Sequence, residues 1–176
     1  DVGVTATKIK LASTVVLSGI GASFLSDSPK AMQAVVAKVN RSGGICGRTL
    51  ELTVRDDGWK PDQGLLFLKN FIESKDFFAM PVVPSSEGLT AAIKAGEISK
   101  AGIPVVGSDG MLIEQYRDPW VWPVATATVS TMRIMAQYAY DKGARSFGIV
   151  YDSQYKFGVE GAKAYQDHVA SLGGAR

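Results

Sequence analysis

The sequence predicts an α/β domain built on a doubly wound parallel sheet. Two observations carry this expectation: short apolar runs alternate with stretches of helical periodicity, and nearly every apolar run ends in a loop rich in Gly, Ser, Asp or Pro. Such alternation means βαβ units with right-handed crossovers. Ligands of doubly wound sheets sit beyond the carboxyl ends of the strands, where the strand order reverses. Residues 17–26, 56–61, 84–88 and 108–111 end the first four expected strands, and should line one rim.

The elements follow in order. Residues 8–15 (KIKLASTV) alternate before turning apolar, as a strand entering a sheet does. Residues 29–39 place Ala31, Met32, Val35, Val36 and Val39 at helical spacing, with Asp27 or Ser28 as cap and Pro29 in the first turn. Residues 48–54 (RTLELTV) alternate as a second strand that stops at Asp56-Asp57-Gly58, and residues 62–74 form a second helix on Leu65, Leu66, Leu68, Phe71 and Ile72. Residues 77–83 (FFAMPVV) read as a buried strand, and Leu89, Ala92, Ile93, Gly96 and Ile98 as the helix after it. Residues 102–107 (GIPVVG) are a fourth strand. Two prolines and two tryptophans in residues 118–124 break the rhythm, as an extended crossing between domains with the tryptophans packed on one face. The rhythm then restarts with a helix at 130–141, a strand at 146–151 (SFGIVY) and a helix at 158–172. One strand and two helices cannot cover a second sheet, so part of this apolar surface should lack a partner.

The centre of this arrangement is the loop PSSEG at 84–88. A strand running through small hydroxyl residues into a helix N-terminus gathers orphan N–H donors, a positive dipole end and two hydroxyls. Ser85 and Ser86 are therefore candidates to hold a small polar or anionic group, and equally candidates to cap the helix.

Composition narrows the chemistry. The chain has 176 residues with 46% apolar and 20% charged, ordinary for a globular protein. A net charge of +2 without blocks of like charge gives no footprint for nucleic acid. No apolar run approaches the roughly 18–20 residues of a membrane span. One Cys and one His exclude a Cys/His zinc site, and no metal or cofactor is expected. Cys46 reads as a small residue in a turn, open to pairing only outside this chain; His168 reads as a helix-surface residue. Gly19-Ile20-Gly21 imitates a dinucleotide fingerprint, but Phe24 stands where a third small residue belongs and no acidic residue follows at the required distance. Asp56-Asp57 reads first as a turn, with a phosphoacceptor or Mg²⁺ role as the enzymatic alternative. The two serines have one histidine in the whole chain to recruit as a base, so hydrolase activity is not expected.

Taken together, IKLASTVVLSG, VVAKVNRSGGICGRTLELTVRDDGWKPDQG, the strand ending in PSSEG, AGIPVVGSDG and FGIVYDSQYKFGVEGAKAY resemble the type I periplasmic binding proteins, within them the branched-chain amino acid (Leu/Ile/Val-type) solute-binding family of ABC transporters. The resemblance implies a non-enzymatic protein of two lobes with a ligand in the cleft between them. Residues 1–118 would form the first ligand-binding lobe, 119–127 an inter-lobe crossing, and 128–176 the incomplete beginning of the second lobe. It implies ligand contacts from Phe24, Ser85, Ser86, Asp109, Gly110 and Met111 in the first part, and from Tyr155 and Phe157 in the second. Met111 replaces an expected hydroxyl, Phe157 lacks the phenol, and Glu87 sets a carboxylate beside the serines. The expected solute widens accordingly, from an amino acid to another small, aromatic or apolar carboxylate. The implied partners are that solute and an ABC transporter permease, at the periplasmic or extracellular membrane surface, with a lipid anchor outside the given chain. A ligand-sensing receptor domain of the same fold is the alternative.

Overall fold

A computed structural model describes residues 1–175; Arg176, the last residue of the expected second-lobe segment, lies outside the described residues. Strand β1 (Lys8–Val15) and helices α1 (Ala22–Leu25) and α2 (Ser28–Arg41) lead to β2 (Thr49–Asp56) and α3 (Pro61–Ser74). Then come β3 (Met80–Pro81), α4 (Ser86–Lys94), α5 (Glu97–Ala101), β4 (Val105–Ser108), a 3₁₀ turn (Ile113–Tyr116), β5 (Val121–Pro123), α6 (Thr128–Asp141) and α7 (Lys156–Ser171). The chain divides into two compact units, residues 1–109 with 114–124, and residues 110–113 with 125–176.

In the first unit every pairing between two of these strands is parallel. β1 pairs with β2 along its whole length, from Lys8 opposite Thr49 to Val15 opposite Asp56. β3 pairs with β4, and β4 with β5. The bridge between Leu11 and Ala79, with the Phe78 N–H donating to the Lys10 carbonyl at 2.9 Å, joins the two groups of strands. The spatial order is therefore β2-β1-β3-β4-β5, the doubly wound arrangement whose order reverses between β1 and β3. One core unites it: Ala12, Leu68, Met80, Val83, Leu89 and Val105 are all fully buried.

Helices α3 and α4 approach unusually closely. A Cβ on Gly88 would lie 2.8 Å from the Gly64 Cα, so glycine on both sides is what lets these backbones touch. The β1–α1 loop rests on Trp59 in the same way, since a Cβ on Gly21 would lie 2.3 Å from the Trp59 ring.

Three elements of the first unit differ from the expectation. The strand over 77–83 shrinks to Met80–Pro81, because Val82 takes φ 49° and ends the extended run. A β-branched residue is strained there by about 1–2 kcal/mol. Its carbonyl is held by the Ser13 hydroxyl at 2.8 Å. The helix over 89–98 is two helices, broken at Gly96 with φ 72°.

The third difference concerns residues 119–127, expected as a crossing. They contain β5, and the division between the units falls after Val124 instead of at 118. Asp118 makes this strand: Oδ1 accepts the Trp120 N–H at 2.9 Å and Oδ2 the Ser99 hydroxyl at 2.8 Å. At the sheet edge the missing N–H of Pro123 costs no ladder bond. Val121 is the buried residue, whereas Trp120 and Trp122 are exposed.

In the second unit α6 and α7 pack through small residues. Ala136, Ala162 and Ala164 are buried, and a Cβ on Gly161 would meet Thr128 Cγ2 at 2.7 Å. His168 Nε2 bonds Gln137 Oε1 at 2.9 Å across this seam, a structural tie. The strand expected at 146–151 does not form; these residues carry no ladder and Val150 is fully exposed. Among the described residues no strand lies alongside it to bond. Among the described residues no helix is long and apolar enough to cross a membrane, and no group of three or more His, Cys, Asp or Glu is placed to hold a metal ion.

Candidate functional site

The carboxyl ends of β1 to β4 bring together a cluster of polar side chains in the first unit, buried except for the half-buried Asp109. Thr14 closes β1, Asp57 follows β2, Ser85 and Ser86 open α4 after β3, and Asp109 follows β4. Thr14, Ser85 and Ser86 are fully buried and Asp57 is 1% exposed.

Each sits where its local sequence puts it. Asp56 and Asp57 make the turn that their Asp-Asp-Gly sequence announces. Asp56 Oδ1 accepts the N–H groups of Leu17 at 2.8 Å and Gly58 at 3.0 Å, and Asp57 Oδ1 accepts the Trp59 N–H at 2.9 Å. Partial burial pushes the Asp56 carboxyl up, but these N–H donors with Ser18 outweigh it and leave its pKa below the ordinary value. Asp57 goes the other way. Burial dominates and raises its pKa, against the Trp59 N–H and the approach of the Ser85 and Thr14 hydroxyls, with the Asp56 charge adding to the rise. That approach favours the ionised form, yet Thr14 Oγ1, Ser85 Oγ and Asp57 Oδ2 close no hydrogen bond of normal geometry. Three buried oxygens without partners in one neighbourhood are uncommon in folded proteins.

Ser85 is the N-cap residue of α4, but its side chain makes no capping bond. The capping alternative is thereby set aside for Ser85, whose buried Oγ makes no hydrogen bond. Ser86 donates its hydroxyl to Asp109 Oδ2. Gln115 Nε2 donates to the other oxygen of Asp109 at 2.8 Å, from a fully buried side chain on the 3₁₀ turn. Tyr116 lies next to this group; partial desolvation first, then the Asp109 charge, raise its phenol pKa.

Of the remaining candidates, four group with the second unit and Phe24 with the first. Phe24 stands on α1 with 79% of its surface exposed. Gly110 and Met111 group with the second unit, where the Met111 carbonyl accepts the Thr128 N–H at 3.0 Å. Tyr155 and Phe157 also belong to the second unit, at the start of α7, with their rings stacked 6.0 Å apart at 29°. Sequence reasoning therefore brought Ser85, Ser86 and Asp109 to one place and missed Thr14, Asp57 and Gln115 as their neighbours. A signal for Asp57 existed in its position at the end of a strand. Gln115 had none, since a short 3₁₀ turn has no periodicity to read.

An apolar cavity of about 400 Å³ lies elsewhere, between α2 and the sheet, lined by Leu11, Met32, Val36, Leu50 and Leu52 among others. It contains no cluster of polar groups and is unrelated to this chemistry.

Comparison with known proteins is consistent with this architecture. The family model described as "Periplasmic binding protein" matches residues 8–175. No curated protein matches the sequence. Among solved structures, the fatty acid ABC transporter substrate-binding protein from Thermomonospora curvata is 23% identical with a TM-score of 0.86, over 97% of this chain and 43% of its own. The branched-chain amino acid transporter substrate binding protein from Streptococcus pneumoniae, in complex with isoleucine, is 20% identical with a TM-score of 0.79, over 92% of this chain and 47% of its own. A solute binding protein of an ABC transporter from Rhodopseudomonas palustris, in complex with 3,4-dihydroxybenzoic acid, is 18% identical with a TM-score of 0.74, over 94% of this chain and 44% of its own. The chain spans less than half the length of these structures, which share its fold. The chain belongs to the periplasmic binding protein family and carries its type I fold.

Proposed function

We propose that the chain is part of an extracytoplasmic solute-binding protein of an ABC importer, which takes up an amino acid or another small carboxylate, aromatic ones included, and presents it to a membrane permease. The observation that carries this reading is the cluster of buried hydroxyls with the buried Asp57 and half-buried Asp109 carboxylates at the strand ends, at the switch point where doubly wound sheets bind ligands. Family membership supports a binding role over an enzymatic one. Phe24, Ser85, Ser86, Asp109, Gly110, Met111, Tyr155 and Phe157 are the proposed contacts, the two serines supplying polar recognition and the aromatic rings apolar surface. A periplasmic or extracellular location follows from the family, and attachment through a lipid anchor outside these residues belongs to the same proposal.

Thermal unfolding of the full-length protein against a panel of amino acids, small carboxylates and aromatic acids tests this. A solute at a hundred times its Kd adds about 2.7 kcal/mol to the folded state. Replacing Ser85 and Ser86 together by Ala should weaken the responding solute at least tenfold; unchanged affinity would move the site elsewhere. A structural relative described as an extracellular ligand-binding receptor favours a second reading, a sensing domain of the same fold. Solute uptake that fails when the protein is removed from cells supports transport, and intact uptake supports sensing.

A further inference from the structure

We propose that Trp59, bracketed by Asp57, is a positioning residue that sets how α1 presents Phe24, and through it the preference for solutes with an aromatic body. This deepens the solute-binding reading and rests on it. Helix α1 is four residues long and buries none of them, so it has no core of its own to fix its direction. Phe24 stands on it with 79% of its surface exposed. The Phe24 backbone N–H donates to the Gly21 carbonyl at 3.1 Å, as the Leu25 N–H does at 3.0 Å. The direction of α1 is therefore inherited from Gly21.

Gly21 in turn rests on Trp59. Its φ of −75° is one that any residue adopts, so the backbone itself does not require glycine here. Space does, since a Cβ would lie 2.3 Å from Trp59 Cε3 and 2.9 Å from Cζ3. The ring has little room to yield, because Trp59 is only 8% exposed and its backbone stands at φ 62°, a left-handed conformation. Asp57 helps to hold it there. Its Oδ1 accepts the Trp59 N–H at 2.9 Å, while its own N–H donates to the Val15 carbonyl at 3.0 Å and ties the turn to the end of β1. Asp56 braces the other side of the loop by accepting the Leu17 N–H at 2.8 Å, and a Cβ on Gly19 would stand 3.1 Å from the Gly58 carbonyl oxygen. Residues 17–21 and 56–59 thus form one block that carries Phe24. A strained backbone over-determined by its surroundings, at the ligand rim of a doubly wound sheet, is what a positioning role requires.

The test is titration calorimetry on the full-length protein with two pairs of probes, phenylalanine against alanine and phenylacetate against acetate, each pair differing by a phenyl ring. In the wild type the ring-bearing member of at least one pair should bind about tenfold more tightly or better. Gly21→Ala, which lifts Gly21 off the Trp59 ring, should cut that preference below about threefold while the affinity for the ring-less member stays within about twofold. General destabilisation does not produce such a split. Trp59→Phe withdraws the platform from the other side and is the second variant should Gly21→Ala unfold, as judged by circular dichroism. Phe24→Ala should cut the preference as far, and combining it with Gly21→Ala should cut it no further. No ring preference in the wild type, equal losses for both members of a pair, or additive losses in the double variant overturn the positioning role and leave the solute-binding reading standing. A wild type that binds none of the four probes overturns the solute class of that reading, and the positioning role with it.

Discussion

Two short apolar stretches of this chain, residues 102–107 and 146–151, look alike in sequence and end differently in space. The first contains β4, flanked by β3 and β5, with Val105 fully buried and its N–H bonded to the Trp120 carbonyl at 2.8 Å. The second forms no ladder, and its Val150 is fully exposed. Both are rich in β-branched residues bounded by turn formers. The difference teaches that apolar β-branched composition marks a segment fit for a strand, while a strand exists only where a neighbour accepts its hydrogen bonds.

The sharpest way to break this comparison is to truncate one side chain on each side of it. Met80→Ala, in the strand paired with β4, should lose about 2–5 kcal/mol of unfolding free energy, as buried large-to-small changes do. Val150→Ala should change stability by less than about 0.5 kcal/mol. All three tryptophans lie in the first unit, so their fluorescence in a urea titration reports its unfolding, with backbone circular dichroism covering the second unit. Equal effects would mean that residues 146–151 are packed after all.

A smaller effect probes what covers the ladder. Gly88→Ala should destabilise the first unit by about 1–3 kcal/mol, because its Cβ would sit 2.8 Å from Gly64 and force α3 from α4. A neutral result would show that the helix pair adjusts without disturbing the strands beneath it.

The smallest and most specific effect concerns charge at the strand ends. The folded pKa of Asp57 lies above its ordinary value, so the native state binds the proton more tightly than the unfolded chain. Its influence on stability is therefore unfavourable above the folded pKa, and is relieved as pH falls from that value toward the ordinary one near 4. Asp57→Asn should raise stability at neutral pH and flatten this part of the pH profile, with Asn Oδ1 still accepting the Trp59 N–H. Urea midpoints at several pH values check it; an unchanged slope would assign the slope to other carboxylates.

Much of the first unit was legible because its signals are local or periodic. The alternation in residues 48–54 and the spacing of Leu65, Leu68 and Ile72 reappear as β2 and α3 within a residue or two. The Asp-Asp-Gly turn formed as its side-chain chemistry requires. The candidate cluster was half legible. Ser85 and Ser86 were found because a strand, a hydroxyl pair and a helix start follow one another in sequence. Asp57 and Gln115 lie 28 and 29 residues from Ser85 and Ser86 respectively, and no local pattern connects them.

By itself the sequence determined the element types, their alternation and the parallel doubly wound class, since hydrophobic period and turn chemistry act over neighbouring residues. Only the tertiary structure decided three further matters. It shortened β3, because Val82 is held in a left-handed conformation by a contact from Ser13. It made residues 121–123 an edge strand and left 146–151 without a ladder, because strand pairing depends on who stands alongside. It bonded the Ser86 hydroxyl to Asp109 and set the buried Ser85 and Thr14 beside Asp57, because the parallel sheet gathers its strand ends on one side.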